Sequence, residues 1–488
     1  MIQVEHVSFT YENTVNGGAI ADICAKIPKG QVILLCGESG SGKTTFSRLI
    51  NGLIPSYYEG KIIGDVFVEG KDVQHTELYE LAPIVGSVFQ NPKSQFYTLL
   101  ADTEIVFACE NLGIEKADIL ARFDRTVKSL HIEKLLGKSL LALSGGEKQK
   151  IACASVGALM PDIFVLDEPS SNLDIRTIRD MQTILLSWKK QGKTIVIAEH
   201  RLAWLRGIAD RILFFESGRI TQDLYVDQFW KKTEAEFHDM GLRAAGTFAP
   251  SYRLEQTDTQ GSIEFRELQY SFKKTKVLDI PNLKIPKGAV VAVLGDNGAG
   301  KTTFARCLCG LIKKSEGTLY YNGKIYTNKQ CIHLCYMVMQ DVNHQLFSES
   351  VLTEVLLGVD VPAEDREVIA ESILSELDLL DYKEAHPMSL SGGQRQRVAI
   401  AGAIASHKEI IVFDEPTSGL DYRHMKEVAR NIRKLSDMGK TQFVITHDPE
   451  LVASCCNYFI FMDTGKVIRS GGWTLENTRF VADYFNQL

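Results

Sequence analysis

The stretch QVILLCGESGSGKTTFSRLI, residues 31–50, decides the fold. Within it VILLC is a continuous apolar run of strand length. A run without polar alternation is expected of a parallel strand covered on both faces. Glycines follow in GESGSGKT, in the spacing G-x-x-x-x-G-K-[ST] of a phosphate-binding loop. TTFSRLI then supplies helix formers. A strand, a glycine loop and a helix N-terminus in that order aim bare backbone N–H groups, and the positive end of a helix dipole, at phosphate oxygens. Lys43 is placed to hold the β- and γ-phosphates, and Thr44 to ligate Mg2+.

The same construction returns later in the chain. AVVAVLG (289–295) leads into GDNGAGKTT (295–303), displaced by 258 residues from GESGSGKTT (37–45), with Lys301 and Thr302 in the matching places. VFQNPKSQFYT (88–98) recurs as VMQDVNHQLFS (338–348) at an offset of 250. LSGGEKQK (143–150) and LSGGQRQR (390–397), IFVLDEPSSNLD (163–174) and IIVFDEPTSGLD (410–421), and His200 and His447 all recur at 247. The order is kept and the offset only shrinks, which is the signature of a tandem duplication of a domain of roughly 230 residues. The expected organisation is one domain over 1–221, a linker over 222–262 with weak periodicity and turn formers toward its end, and a second domain over 263–488.

Composition sets the limits. The chain has 488 residues, 45% of them hydrophobic and 24% charged, with a net charge of −7. That length exceeds what one hydrophobic core organises. The negative balance argues against binding nucleic acid by bulk electrostatics, and 222–262 is itself net acidic. No apolar run approaches the ~18–20 residues needed to span a bilayer. MIQVEHVSFTYEN lacks the basic-plus-apolar pattern of a leader. The ten cysteines show no zinc or iron–sulfur spacing and read as reduced, buried small hydrophobes, which points to the cytoplasm.

Other motifs add chemistry. Four apolar residues run into Asp167-Glu168 and four into Asp414-Glu415, so each pair closes a buried strand. The Asp can support a Mg2+ shell, and the Glu can polarise an attacking water. One such pair alone is an ordinary strand end; downstream of a phosphate loop, twice, it becomes a site. Ser-Gly-Gly followed by EKQKIACASVGAL or QRQRVAIAGAIAS is a second helix N-terminus with bare backbone, suited to an anion. Each half already holds a nucleotide on its own loop, so the economical reading is that this octet contacts a nucleotide held elsewhere. His200 and His447 each follow an apolar strand (TIVIAEH, TQFVITH).

This order of motifs resembles the ATP-binding-cassette ATPases, twice over and across nearly the whole chain. The resemblance implies an α/β fold of two tandem cassettes, each with a mostly parallel core sheet, an antiparallel β subdomain and an α-helical subdomain, the helical arm lying near 91–142 and 341–389. It implies ATP contacts from Gly37, Gly40, Gly42, Lys43, Thr44 and Thr45, and from Gly295, Gly298, Gly300, Lys301, Thr302 and Thr303. Tyr11 and Phe272 would stack on adenine. Ser144, Gly145 and Gly146 would cap the ATP on Lys301; Ser391, Gly392 and Gly393 would cap the ATP on Lys43. Both halves of a head-to-tail pair then sit in one chain, which raises their effective concentration. Mg2+ would be held by Thr44, Gln90 and Asp167, and by Thr302, Gln340 and Asp414. Glu168 and Glu415 would orient water, His200 and His447 would hold the γ-phosphate, and Gln90 and Gln340 would sense metal and water. Asp174 and Asp421 match the loop that couples the two sites. Departures are Glu147 for the commoner Gln, Lys150 for Arg, and EHRL where the second copy has THDP. None removes a catalytic group, so two hydrolysing sites are expected.

VFQNPKSQFYTLLADTEIVFACENLGI resembles the cassettes of energy-coupling factor transporters and their cobalt-type relatives. That implies a peripheral motor at the cytoplasmic face of the membrane, docked to an integral scaffold protein and a small substrate-capture membrane protein, importing a vitamin or metal ion. A tandem sugar-importer ATPase is one alternative, against which LSGGQRQR and the intact Glu415 count. A soluble ribosome- or DNA-acting cassette protein is another, against which the short acidic linker counts.

Overall fold

The computed structural model describes residues 1–12, 19–171, 173–244, 248–250, 261–273, 275–359 and 363–486. The chain divides into two compact units at 246/247. The first contains ten strands: β1 (Ile2–Tyr11), β2 (Ala19–Ile27), β3 (Val32–Gly37), β4 (Gly60–Val68), β5 (Lys71–Asp72), β6 (Val85–Val88), β7 (Ile163–Asp167), β8 (Thr194–Ala198), β9 (Arg211–Glu216) and β10 (Arg219–Tyr225). An antiparallel sheet has the order β2-β1-β4-β5, and a six-stranded sheet the order β10-β9-β3-β8-β7-β6. In the larger sheet every pairing is parallel except β9 with β10.

The strand that opens the phosphate loop lies in the middle of that sheet, between β8 and β9, with all six residues buried. Its side chains alternate between two cores. Ile33 and Leu35 join Phe46, Leu49 and Ile50 of the following helix beneath the antiparallel sheet. Val32, Leu34 and Cys36 join the opposite cluster, with Ile105, Val127, Ile151 and Met181 from the helical side. A strand with a core on each face has no reason to alternate in polarity. The helical subdomain is built from Ala101–Asn111, Lys116–Leu130 and Gly145–Ala158.

The second unit repeats this plan. Its strands are β11 (Ser262–Phe272), β12 (Thr275–Pro286), β13 (Val290–Leu294), β14 (Glu316–Tyr321), β15 (Lys324–Thr327), β16 (Cys335–Val338), β17 (Ile410–Asp414), β18 (Thr441–Ile445), β19 (Tyr458–Asp463) and β20 (Lys466–Gly472). The orders are β12-β11-β14-β15 and β16-β17-β18-β13-β19-β20. The central strand is again the one before the phosphate loop, and again one edge pair, β19 with β20, is antiparallel. The helices Val351–Leu356, Ala363–Glu376 and Gly392–Ala405 form its helical side. Backbone exceptions repeat with the topology: left-handed non-glycine residues occur at Met160 and His407, Glu168 and Glu415, and Ser217 and Thr464. The duplication is therefore conformational as well as sequential.

The stretch 222–262 differs from the expected linker. β10 continues to Tyr225 in register with β9, and the short helices Val226–Phe229 and Glu234–Asp239 follow. Phe229, Trp230 and Phe237 pack on one another with ring centroids 5.0–6.0 Å apart, and the first unit's core takes them in. Phe248 packs in the second unit, on Trp473 and Phe485 at 5.4 and 5.5 Å. Helices this short show too few turns to leave a period in the sequence. Residues 251–260 of the expected linker lie outside the described residues. All ten cysteines are free thiols; nine are buried as expected, and Cys24 is exposed. Among the described residues no helix is long and apolar enough to cross a membrane.

Candidate functional site

In the first unit the loop between β3 and the helix Lys43–Ile50 folds around its own lysine. Lys43 is buried, and its Nζ donates to the carbonyl oxygens of Gly37 at 2.8 Å and Glu38 at 2.7 Å. Gly37 has φ 144°, and a Cβ there would run into the carbonyl oxygen of Phe215; Gly295, at φ 134°, meets the carbonyl of Met462 in the same way. Glycine is required at the head of both loops because sheet backbone passes directly beneath. Burial lowers the pKa of the Lys43 ammonium, and the nearby Glu168 carboxylate opposes that shift.

The carboxylates arrive from the end of β7. Thr44 Oγ1 donates to Asp167 Oδ1 at 3.2 Å, so two hard oxygen donors converge beside the loop, the donor chemistry that suits Mg2+. Glu168 accepts from Gln90 Nε2 at 2.7 Å, and its other oxygen lies 3.4 Å from His200 Nε2. Ser39, Gly40, Gly42, Lys43, Thr44, Thr45, Glu168 and His200 line one cavity. Burial pushes the Asp167 carboxyl up to about 6, with Glu168 adding to it. Burial also pushes Glu168 up to about 7, against the pull of Lys43. Burial, and then Lys43, drives the His200 imidazole down to about 3, so it is neutral at physiological pH. Glu168 itself has φ 44°, a left-handed conformation that a glutamate adopts only when its surroundings impose it.

The second unit assembles the same groups. Lys301 Nζ donates to Gly295 O at 2.6 Å and Asp296 O at 3.0 Å, and lies 3.2 Å from His447 Nε2. Thr302 Oγ1 donates to Asp414 Oδ1 at 3.5 Å, and burial raises the Asp414 carboxyl. Glu415 repeats the left-handed backbone at φ 50°, with its Oε1 3.6 Å from His447 Nε2. Gln340 is exposed just beyond β16.

Tyr11 lies half-buried on β1; its hydroxyl is 3.2 Å from Thr45 Oγ1 and accepts from Arg48 at 3.0 Å. Phe9 and Tyr58 pack edge-on against its ring. Phe272, by contrast, is 59% exposed. Ser144 and Ser391 each cap a helix in a capping box, with Glu147 and Gln394 as the reciprocal partners at 2.9 Å. Carboxylate and amide serve this box equally, so Glu147 leaves the octet's geometry intact. Gly145 and Gly392 have open space where a Cβ would sit, whereas Gly146 abuts Thr177 and Gly393 abuts His424. Asp174 caps the helix Ile175–Lys190 by accepting from Thr177 N at 2.8 Å, and Asp421 directly precedes the helix Tyr422–Asp437.

Sequence reasoning missed one pair of groups around the glutamine segments. Glu104 is buried, and its Oε2 accepts the backbone N–H groups of Tyr97 and Thr98 at 3.1 and 2.8 Å. Glu354 does the same for Phe347 and Ser348 at 3.0 and 2.9 Å. The side chains of Tyr97 and Phe347 are held out on the surface at 78% and 77% exposure. A Thr-Glu pair at 103–104 recurring at 353–354 is the signal that could have found these carboxylates.

The family model described as ABC transporter matches residues 20–171 and 278–418. A protein of Treponema denticola is 42% identical over 477 residues, 96% of each chain, and one of Methanosarcina mazei is 32% identical over 524 residues, 96% of this chain and 89% of its own. Both carry the provisional name ABC transporter ATP-binding protein. Among solved structures, an RNase-L Inhibitor chain superposes with a TM-score of 0.66 at 21% identity, covering 99% of this chain and 92% of its own. An archaeal ribosome recycling factor, solved in complex with a ribosomal stalk protein, gives 0.64 at 22%, covering 97% and 92%. At those identities the likeness is one of fold: two cassettes in one chain.

Proposed function

Because this chain belongs to the ABC transporter family, we propose that it is the ATP-hydrolysing motor subunit of a membrane importer, of the energy-coupling factor type, with two ATPs held head to tail between its cassettes. ATP hydrolysis itself follows from family membership. In each site the lysine already seated in its loop meets the β/γ-phosphates. Thr44 and Asp167, or Thr302 and Asp414, would hold Mg2+, which when bound neutralises phosphate charge. Glu168 takes the proton of the attacking water, and a pKa pushed up to about 7 makes it a capable base near neutral pH. Gln90 fixes that carboxylate from one side, and the neutral His200 offers its ring to the γ-phosphate from the other. Ser144 and Ser391, with their glycines, complete the opposite site's nucleotide contacts, and Asp174 and Asp421 couple the two sites.

The observation that carries the transport assignment is the pair of exposed aromatics, Tyr97 and Phe347, each seven residues after a glutamine proposed to sense nucleotide and each with its backbone N–H held by a buried glutamate. An exposed aromatic on a pinned backbone is suited to docking helices of an integral membrane scaffold, which works with a small substrate-capture membrane protein. The motor would sit on the cytoplasmic face, and closure around ATP would move the docked helices, a ligand-driven shift between two states. The competing reading is a soluble ribosome-acting ATPase, since the tandem-cassette structures named above include an archaeal ribosome recycling factor. Affinity purification from detergent-solubilised membranes separates the two. Recovery of a polytopic scaffold with small membrane proteins is the expected result; recovery with ribosomes and no membrane protein overturns it.

A further inference from the structure

The two cassettes differ at the histidine: one reads Glu199-His200-Arg201, the other Thr446-His447-Asp448. In space the difference largely cancels. Glu199 is buried at 1% exposure, and its Oε2 accepts from Ser170 Oγ at 2.7 Å and Ser170 N at 3.3 Å. Its Oε1 accepts from the backbone N–H groups of His200 at 2.8 Å and Arg201 at 3.2 Å. Asp448 is equally buried, and its Oδ2 accepts from Thr417 Oγ1 at 2.7 Å. Its Oδ1 accepts from Glu450 N and Leu451 N at 3.1 and 3.2 Å, and its own N–H donates to Thr446 Oγ1 at 3.1 Å. Ser170 and Thr417 occupy the same place in the repeat, two residues after the catalytic glutamate.

We infer that Glu199 and Asp448 are interchangeable positioning residues: each cassette carries one buried carboxylate, supplied from opposite sides of the histidine, that ties the histidine segment to the hydroxyl of the loop following Glu168 or Glu415. A buried carboxylate is tolerated only where several donors satisfy it, and both have them. The tie fixes the distance between the glutamate that handles water and the histidine that faces the γ-phosphate, so its loss should act on turnover more than on nucleotide affinity. The inference rests on the reading of His200 and His447 as γ-phosphate contacts.

The test works in a Glu415→Gln background, where hydrolysis reports the first site. Glu199→Thr is expected to lower kcat about 10-fold or more while KM for ATP moves less than about 3-fold. Adding Arg201→Asp, which moves the carboxylate to the far side of the histidine as in the second cassette, is expected to restore kcat to within about 3-fold. Should Glu199→Thr not fold, Glu199→Gln keeps the volume and gives the same kcat-against-KM reading. His200→Ala in the same background is the control. If His200→Ala abolishes turnover while Glu199→Thr and Glu199→Gln leave kcat intact, the inference is wrong. A folded double variant that regains no activity is equally fatal to it. If His200→Ala itself has no effect, the underlying site reading falls instead.

Discussion

Replacing Gly146 with alanine would set a methyl 2.6 Å from Thr177 Oγ1 and 2.8 Å from Thr177 Cγ2. Thr177 has little room to yield: it is buried, β-branched, and its N–H is tied to Asp174. The octet helix must therefore move away, and overpacking of this kind costs about 1–3 kcal/mol. The better helix propensity of alanine returns at most about 1 kcal/mol, less at a helix start. The net loss of about 1–2 kcal/mol corresponds to a Tm lower by about 2–8 °C in a unit of this size. One residue earlier the outcome reverses. A Cβ on Gly145 meets nothing within 4 Å, so Gly145→Ala should be neutral or slightly stabilising. Scanning calorimetry of the two variants, alone and with Thr177→Ala, is the assay. In the Thr177→Ala background the penalty of Gly146→Ala should shrink below about 0.5 kcal/mol, because the clashing atoms are gone. Equal Tm values for the two glycine variants, or a penalty that Thr177→Ala leaves unchanged, would refute the argument that the second glycine exists for packing.

Three further outcomes are expected. Glu168→Gln and Glu415→Gln should each lower steady-state ATPase activity, since both sites hold a complete set of groups; one silent and one abolishing substitution would show that the sites are not equivalent. Glu104→Ala removes the charged acceptor of two backbone N–H groups, worth about 3 kcal/mol together. Hydrogen exchange at Tyr97 and Thr98 should quicken by about 100-fold, while basal ATPase activity of the isolated chain persists. Chelation of Mg2+ should stop hydrolysis, and Thr44→Ala should raise the Mg2+ concentration for half-maximal activity about tenfold in a Glu415→Gln background. An unchanged Mg2+ requirement would remove Thr44 from the metal shell.

The central strand was legible because VILLC has a core on each face, and the sequence shows that as an unbroken apolar run. The candidate site clusters were legible because their members sit at strand ends and loop heads, places that the repeat marks twice. The segment after β9 was not. Phe229, Trp230 and Phe237 build an aromatic knot across helices of 4 and 6 residues, and such a knot has no period. Glu199 and Asp448 looked like plain divergence, because their partners Ser170 and Thr417 lie 29 and 31 residues away and only the fold brings them together. Tyr11 sits as an alternating residue of β1 with its hydroxyl beside the phosphate-loop helix.

The left-handed backbone at Glu168 and Glu415 carries a consequence for how such a chain can change. A residue with a Cβ in that region sits about 1 kcal/mol or more above its preferred conformation, and glycine does not. Glycine at either position would relax the strand end and remove the carboxylate proposed to take a proton from water. Selection for heat resistance alone would thus favour an inert enzyme at these two positions, once in each half. A laboratory evolution campaign aimed at a sturdier variant must therefore screen for turnover in every round.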